Sequence, residues 1–279
     1  KFFFNDVIAA DVYRNLVFKK DLEAETYILD KEKEQFYRPN WDAPLEAFPK
    51  EKPLDMPDIV FQISSGLYGA RDKNGKFDAD RYQKVMSFCQ MTEIKIAQGA
   101  KQTGGKLTGH KVTPAIAYYR NVEAYKDVFS PNRFPFANSI EELFDFVGTL
   151  QKLSKKPVGI KIVISDKQNI EPYSKEIKRR IDAGIDAYPD FITLDSGSGG
   201  SATAPLEMME RVGLNIRDSV YLVNKVLIDY NIREKIRIVA AGKILTPDDI
   251  IIVKSLGADF LQIARGFMMS AGCIRARYC

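Results

Sequence analysis

The sequence predicts an α/β protein built as a parallel (β/α)8 TIM-type barrel, and three observations carry that prediction. Short apolar runs recur from Ile59 onward: IVFQIS at 59–64, IKIA at 94–97, VGIKIVI at 158–164, FITLD at 191–195, IRIVAA at 236–241 and FLQIA at 260–264. Helically patterned segments lie between several of them, such as IEELFDFVGTLQKL before VGIKIVI and RDSVYLVNKVLIDYNI before IRIVAA. Strand ends followed by glycine loops suit the functional face of a barrel. An open doubly wound sheet is the rival architecture. No GxGxxG follows an early strand, which disfavours a dinucleotide-binding Rossmann domain.

In chain order, residues 1–57 read as a helical N-terminal extension and linker. Val7, Ala10, Tyr13, Leu16 and Val17 fall at helical spacing, as does the stretch from Leu22 to Leu29. The proline-bearing connector PNWDAPLEAFPKEKPLDMPD then leads to a single barrel domain at 58–279. The whole chain of 279 residues accommodates one barrel of about 250. With 41 basic and 37 acidic residues interspersed, the net charge of +4 leaves no electrostatic footprint for nucleic acid. No run approaches the ~20 apolar residues that cross a bilayer, so a cytoplasmic protein is expected. Three cysteines argue against a disulfide framework, and the single His110 leaves no histidine-based metal site. His110 reads as an ordinary loop residue and Cys89 as a buried structural thiol.

The segment Glu93–Val112, EIKIAQGAKQTGGKLTGHKV, joins an alternating strand to a glycine-rich turn ringed by Lys95, Lys101, Lys106 and Lys111. Several ammonium groups beside a closely approachable backbone suit a small carboxylate or a phosphate. A solvated basic loop is the plain alternative. Lys161 sits mid-strand in VGIKIVI, where a lysine is costly unless its ammonium reaches a partner. SGSGGS at 196–201 follows a buried strand rather than joining domains, which argues for a ligand loop over a flexible linker. Gly242 in AAGK and Gly266 in ARG occupy strand ends of the kind that admit a phosphate, with Lys243 and Arg265 as charged neighbours. Strand termination alone would also explain both glycines.

IKIAQGAK, the paired glycines, LTGHKVTPAIAYYR, PDFITLDSGSGGSATAPLE, IVAAGKILTPDDI and LGADFLQIARGFMMSAGCI occur in an order that resembles the FMN-binding glutamate synthase-like family. The resemblance, to the synthase domain and its stand-alone type, runs from about Ile59 to the C-terminus. It implies that Lys95, Lys161, Ser196, Gly199, Gly200, Ser201, Gly242, Lys243, Arg265 and Gly266 hold FMN. Lys101 and Arg120, with Gln98 and Lys106 nearby, would orient a 2-oxo acid such as 2-oxoglutarate. Cys273 and Cys279 match the first two ligands of a [3Fe-4S] cluster, whose third would lie beyond Cys279.

What the resemblance implies is reductive amination by a glutamate synthase-like oxidoreductase acting on CH-NH2 groups, 2-iminoglutarate becoming L-glutamate in nitrogen metabolism. Electrons would arrive from an iron–sulfur cluster or a reductase partner. Ammonia would come free or from an amidotransferase subunit. Two departures bear on this. The family's first two barrel strands have no recognisable counterpart before Ile59, so either the chain is incomplete there or residues 1–57 substitute. Lys106 stands where glutamate synthases carry glutamine, which favours an FMN oxidoreductase on another small carbonyl or imine. A non-catalytic flavin or electron-relay subunit is the third alternative.

Overall fold

The computed structural model describes residues 58–99, 105–112, 116–117, 120–199, 207–208, 211–270 and 272, with the backbone of 2–4, 28–30 and 35–37. The chain divides into two units, one of residues 1–90 and 105–130, the other of 91–104 and 131–279.

The first unit contains β1 (Phe2–Phe4), β2 (Ile28–Asp30), β3 (Gln35–Tyr37) and β4 (Ile59–Ile63). β1 runs parallel to β4, with Phe2 opposite Ile59, and β2 pairs antiparallel with β3. The sequence makes residues 1–57 a helical extension and linker, with no recognisable counterpart of the family's first two barrel strands. The described residues there are strands instead, and three consecutive phenylalanines supply a β-prone run too short to register as a period. The helical spacing at 7–17 lies outside the described residues. Helix α1 (Ala79–Met86) starts at Asp78, whose side chain accepts from the Arg81 amide, and buries Tyr82, Val85 and Met86. A short hairpin of β6 (Lys106–Leu107) and β7 (Val128–Phe129) closes this unit.

The second unit holds the repeating alternation. After β5 (Cys89–Lys95), most of which belongs here, come α2 (Ile140–Ser154), β8 (Val158–Ile162), α3 (Lys167–Asp182), β9 (Phe191–Asp195), α4 (Ile216–Asp229), β10 (Arg237–Ala241), α5 (Pro247–Ser255), β11 (Phe260–Gln262) and α6 (Arg265–Ser270). The strands stand side by side in chain order, β5-β8-β9-β10-β11, and the pairs are parallel. A doubly wound sheet reverses its strand order; this one does not. Helices start where a side chain satisfies the first-turn amides: Ser139, Asp166, Asn215 and Thr246 each accept from the residue three ahead.

The sheet curls. Glu93 on β5 accepts from Thr193 Oγ1 at 2.5 Å, two strands away, and from Gln262 Nε2 at 2.9 Å, four strands away. Four strand spacings of about 4.8 Å would separate those backbones by roughly 19 Å in a flat sheet, beyond the reach of two side chains. Side chains of alternate strands meeting in one layer are the interior arrangement of a TIM-type barrel, and they establish that fold class here.

One face of these strands is apolar and buried under the helices: Ile94, Ile160, Ile162, Ile192, Leu194, Ile238 and Ala240. The other carries Glu93, Lys95, Lys161, Thr193 and Asp195 among the apolar Phe191, Val239 and Ala241. Strand register explains the split, because Lys95, Lys161 and Thr193 are successive partners and therefore point the same way. Barrel interiors are ordinarily filled with branched apolar residues, so a polar inner face marks a working surface.

Candidate functional site

Lys95, Lys161 and Asp195 sit at the C-terminal ends of the second unit's strands, the end that barrels use for chemistry. Lys95 closes β5 and donates to Gln98 Oε1 at 2.7 Å. Lys161 is one residue from the end of β8, its side chain 12% exposed, with its ammonium 3.8 Å from Asp195 Oδ2. Two lysines in adjacent register repel each other, and Gln98 and Asp195 each offer one of them an oxygen.

The loops leaving these strands interlock through glycines. The Ile96 and Ala97 amides both donate to the Lys161 carbonyl, at 3.0 and 3.3 Å, and the Gly99 amide donates to Asp195 Oδ2 at 2.9 Å. A Cβ on Gly99 would fall 1.6 Å from the Ser196 carbonyl oxygen. One on Gly199 would fall 2.4 Å from Asp195 Oδ1, and one on Gly242 2.7 Å from Ser196 Cβ. Gly242 also has φ +105°, and Lys243 follows at φ +49°. Ser196 and Ser198, both buried, share a 2.7 Å hydroxyl contact.

Two cavities open on this end. One of about 680 Å³ is lined by Ser196, Ser198, Asn215, Arg217 and Lys243; the other, about 320 Å³, by Ile96, Ala97, Ile162, Val163 and Tyr173. In the first, Asp249 is held down to about 2 by the Leu245 amide, then the Arg217 guanidinium, then the Thr246 groups. Burial raises the Tyr173 phenol at the second. The larger cavity has the size of a cofactor site, and its hydroxyls and Lys243 ammonium are donors that suit a phosphate. These donors fit the phosphate end of FMN, with the Asp218 and Asp249 carboxylates on the same wall.

Among the expected residues, the structure brings Lys95 to Gln98, packs Gly199 against Gly242, and lines one cavity with Ser196 and Lys243. Arg265 opens α6 as an exposed residue, and Gly266 lies beside Ile263. Arg120 and Lys106 belong to the first unit. There Arg120 is buried with its guanidinium 4.7 Å from the Tyr68 ring centre, and Lys106 is 2.6 Å from Asp127. Lys101, Gly200, Ser201, Cys273 and Cys279 lie outside the described residues. His110 occupies a one-turn 3-10 segment in contact with Thr108, and Cys89 is buried and unbridged on β5. No group of three or more potential metal ligands occurs among the described residues.

Asp195, Ser198, Glu93, Thr193 and Gln262 were not in the expected set. The signal was there for two of them: an acid ending FITLD just before a glycine loop, and an acid flanked by Thr92 and Ile94 inside a strand.

The family model described as a conserved region in glutamate synthase matches residues 40–279. The glutamate synthase large subunit-like protein YerD of Bacillus subtilis is 40% identical over 224 residues, covering 80% of this chain and 42% of that protein. The archaeal-type glutamate synthase (NADPH) of Thermotoga maritima is 32% identical over 236 residues, covering 84% and 43%. The chain thus spans less than half the length of these curated relatives. Among solved structures, a flavocytochrome b2 mutant with benzoylformate overlaps 82% of this chain and 46% of its own, at a TM-score of 0.47 and 14% identity, too remote to carry an assignment. The family model covers most of the chain, curled parallel sheet and glycine loops included, and the protein belongs to the glutamate synthase family.

Proposed function

We propose that this chain carries the FMN-binding barrel of a glutamate synthase-type oxidoreductase acting on CH-NH2 groups, which reduces 2-iminoglutarate to L-glutamate. The observation that supports it most is the pair of adjacent inward lysines, Lys95 and Lys161, at the mouth of a polar barrel face beside three closely packed glycine loops. FMN, when bound, supplies the hydride. Lys161 sets a nearly buried positive charge at the strand ends, where it favours a cofactor that gains negative charge on reduction. Ser196 and Lys243 hold the phosphate, and Gly199, Gly200, Ser201, Gly242, Arg265 and Gly266 complete the proposed FMN-binding set. Lys101 and Arg120 are the cationic anchors of the 2-oxo acid, an arginine being suited to grip a carboxylate with two parallel hydrogen bonds.

Cys273 and Cys279 are proposed as two thiolates of an iron–sulfur cluster relaying electrons from a reductase partner, with ammonia supplied by an amidotransferase subunit. No helix among the described residues is long and apolar enough to cross a membrane, and we place the reaction in the cytoplasm. The alternative of another carbonyl or imine substrate drew on the extra charge of Lys106. That charge is compensated in place by Asp127, whose carboxyl Lys106 and the Gly109 amide hold below the usual carboxylate range.

The test is a visible spectrum of the purified chain after incubation with FMN and gel filtration. Flavin bands that co-elute, and that are lost or weakened at least tenfold in Lys161→Ala, support the reading. Absence of retained flavin removes the enzyme assignment for this chain.

A further inference from the structure

We propose that Asp195 is the positioning residue of this flavin site, one carboxylate that both holds the Lys161 ammonium and pins the loop following β5. The inference rests on the flavin reading above for its redox consequence, but its geometry stands without the cofactor.

Asp195 ends β9 and is 5% exposed. A buried carboxylate is expensive unless its charge is met. Here Oδ2 accepts the Gly99 amide at 2.9 Å and stands 3.8 Å from Lys161 Nζ. The other oxygen faces Gly199 so closely that a methyl group there would sit 2.4 Å away. Both oxygens are therefore walled in, and the side chain has little freedom to turn. The Lys161 carbonyl takes the Ile96 and Ala97 amides, so the same lysine residue holds the loop through its backbone while Asp195 holds it through Gly99. With Asp195 in place the loop is held at two points, at Ile96 and Ala97 by the Lys161 carbonyl and at Gly99 by the carboxylate. Electrostatically, the field at the strand ends is that of Lys161 less that of Asp195. Neutralising the acid leaves the ammonium unopposed and favours the more negative, reduced cofactor.

Two substitutions separate the two contacts. Asp195→Asn keeps an oxygen for the Gly99 amide but abolishes the charge; Asp195→Ala abolishes both. Hydrogen exchange at the Gly99 amide is measured on flavin-free protein, with the Ile96 and Ala97 amides as the internal reference, and the FMN reduction potential on the loaded protein. Exchange is expected within about twofold of wild type in the asparagine variant and at least tenfold faster in the alanine variant. Asp195→Ser, too short to reach Gly99, replaces the alanine variant should that fail to fold. The asparagine variant is expected to favour reduced over oxidised FMN about tenfold more than wild type, a positive shift of about 30 mV for two electrons.

A purely structural aspartate would alter unfolding and leave the potential where it is. Unchanged loop exchange in the alanine or serine variant overturns the proposal, as does an unchanged potential in the asparagine variant. Should the wild-type chain retain no FMN, the flavin reading fails by itself. Loop exchange then still decides whether Asp195 pins the loop.

Discussion

At the scale of single residues, the glycines divide by what surrounds them. A Cβ on Gly99 meets the Ser196 carbonyl oxygen at 1.6 Å, whereas one on Gly184 meets nothing within 4 Å, although its φ of +68° disfavours a side chain. Gly184→Ala is expected to cost about 1–2 kcal/mol, the price of a left-handed backbone alone. Gly99→Ala must displace backbone, and should cost more than that, with loss of FMN retention; paired denaturant titrations check the order. A reversed order would mean that the loops yield where they look locked. Both residues read alike in sequence as loop glycines, because the atoms that confine Gly99 belong to a residue almost a hundred positions away.

At the scale of elements, α2 and α3 are tied by one buried arginine. Arg180 of α3 donates to Glu176 at 2.6 Å, to the Glu141 and Ala187 carbonyls at 2.9 Å each, and lies 2.8 Å from Asp145. Arg180→Met is expected to destabilise the fold by about 1–3 kcal/mol, because the Glu141 and Ala187 carbonyls lose a donor while Glu176 keeps Arg179. The Arg179 guanidinium, and after it Arg180, hold the Glu176 carboxyl down to about 2 from an ordinary 4.5, against the opposing effect of burial. A lowered carboxylate stabilises the fold fully above its unfolded value and ceases to do so as the acid protonates in the native state. The stability advantage of wild type over Glu176→Gln should therefore be constant above about pH 5 and shrink as pH falls from there through about 2. Urea titrations across that range check it, and a gap at pH 2 as large as that at pH 5 would contradict the assignment. A milder effect belongs to the caps: Thr246→Ala removes the acceptor for the Asp249 amide and should cost about 1 kcal/mol.

At the scale of the whole molecule, the curl of the second unit's sheet and the chemistry of its inner face are one problem. Thr193→Val deletes the hydroxyl that donates to buried Glu93 across the sheet, and is expected to cost about 1–3 kcal/mol by thermal unfolding. On the proposed function flavin binds this unit, and FMN at a hundred times its Kd should then add about 2.7 kcal/mol of stability, read as a concentration-dependent rise in Tm. The parallel alternation, the strand runs from Ile59 onward, the glycine loops and the membership of the family were legible along the chain, because each is written in neighbouring residues as a period, a run or a motif. Lys161 was legible too, since a lysine inside VGIKIVI contradicts its neighbours wherever the strand is placed. Only the tertiary structure decided that Phe2–Phe4 pairs with β4, that Glu93 meets Thr193 and Gln262, and that Asp195 is the partner of both Lys161 and Gly99. Those contacts join residues from 34 to 169 positions apart, 57 for the Phe2–Ile59 pair, and only the curl and register of the sheet bring them together.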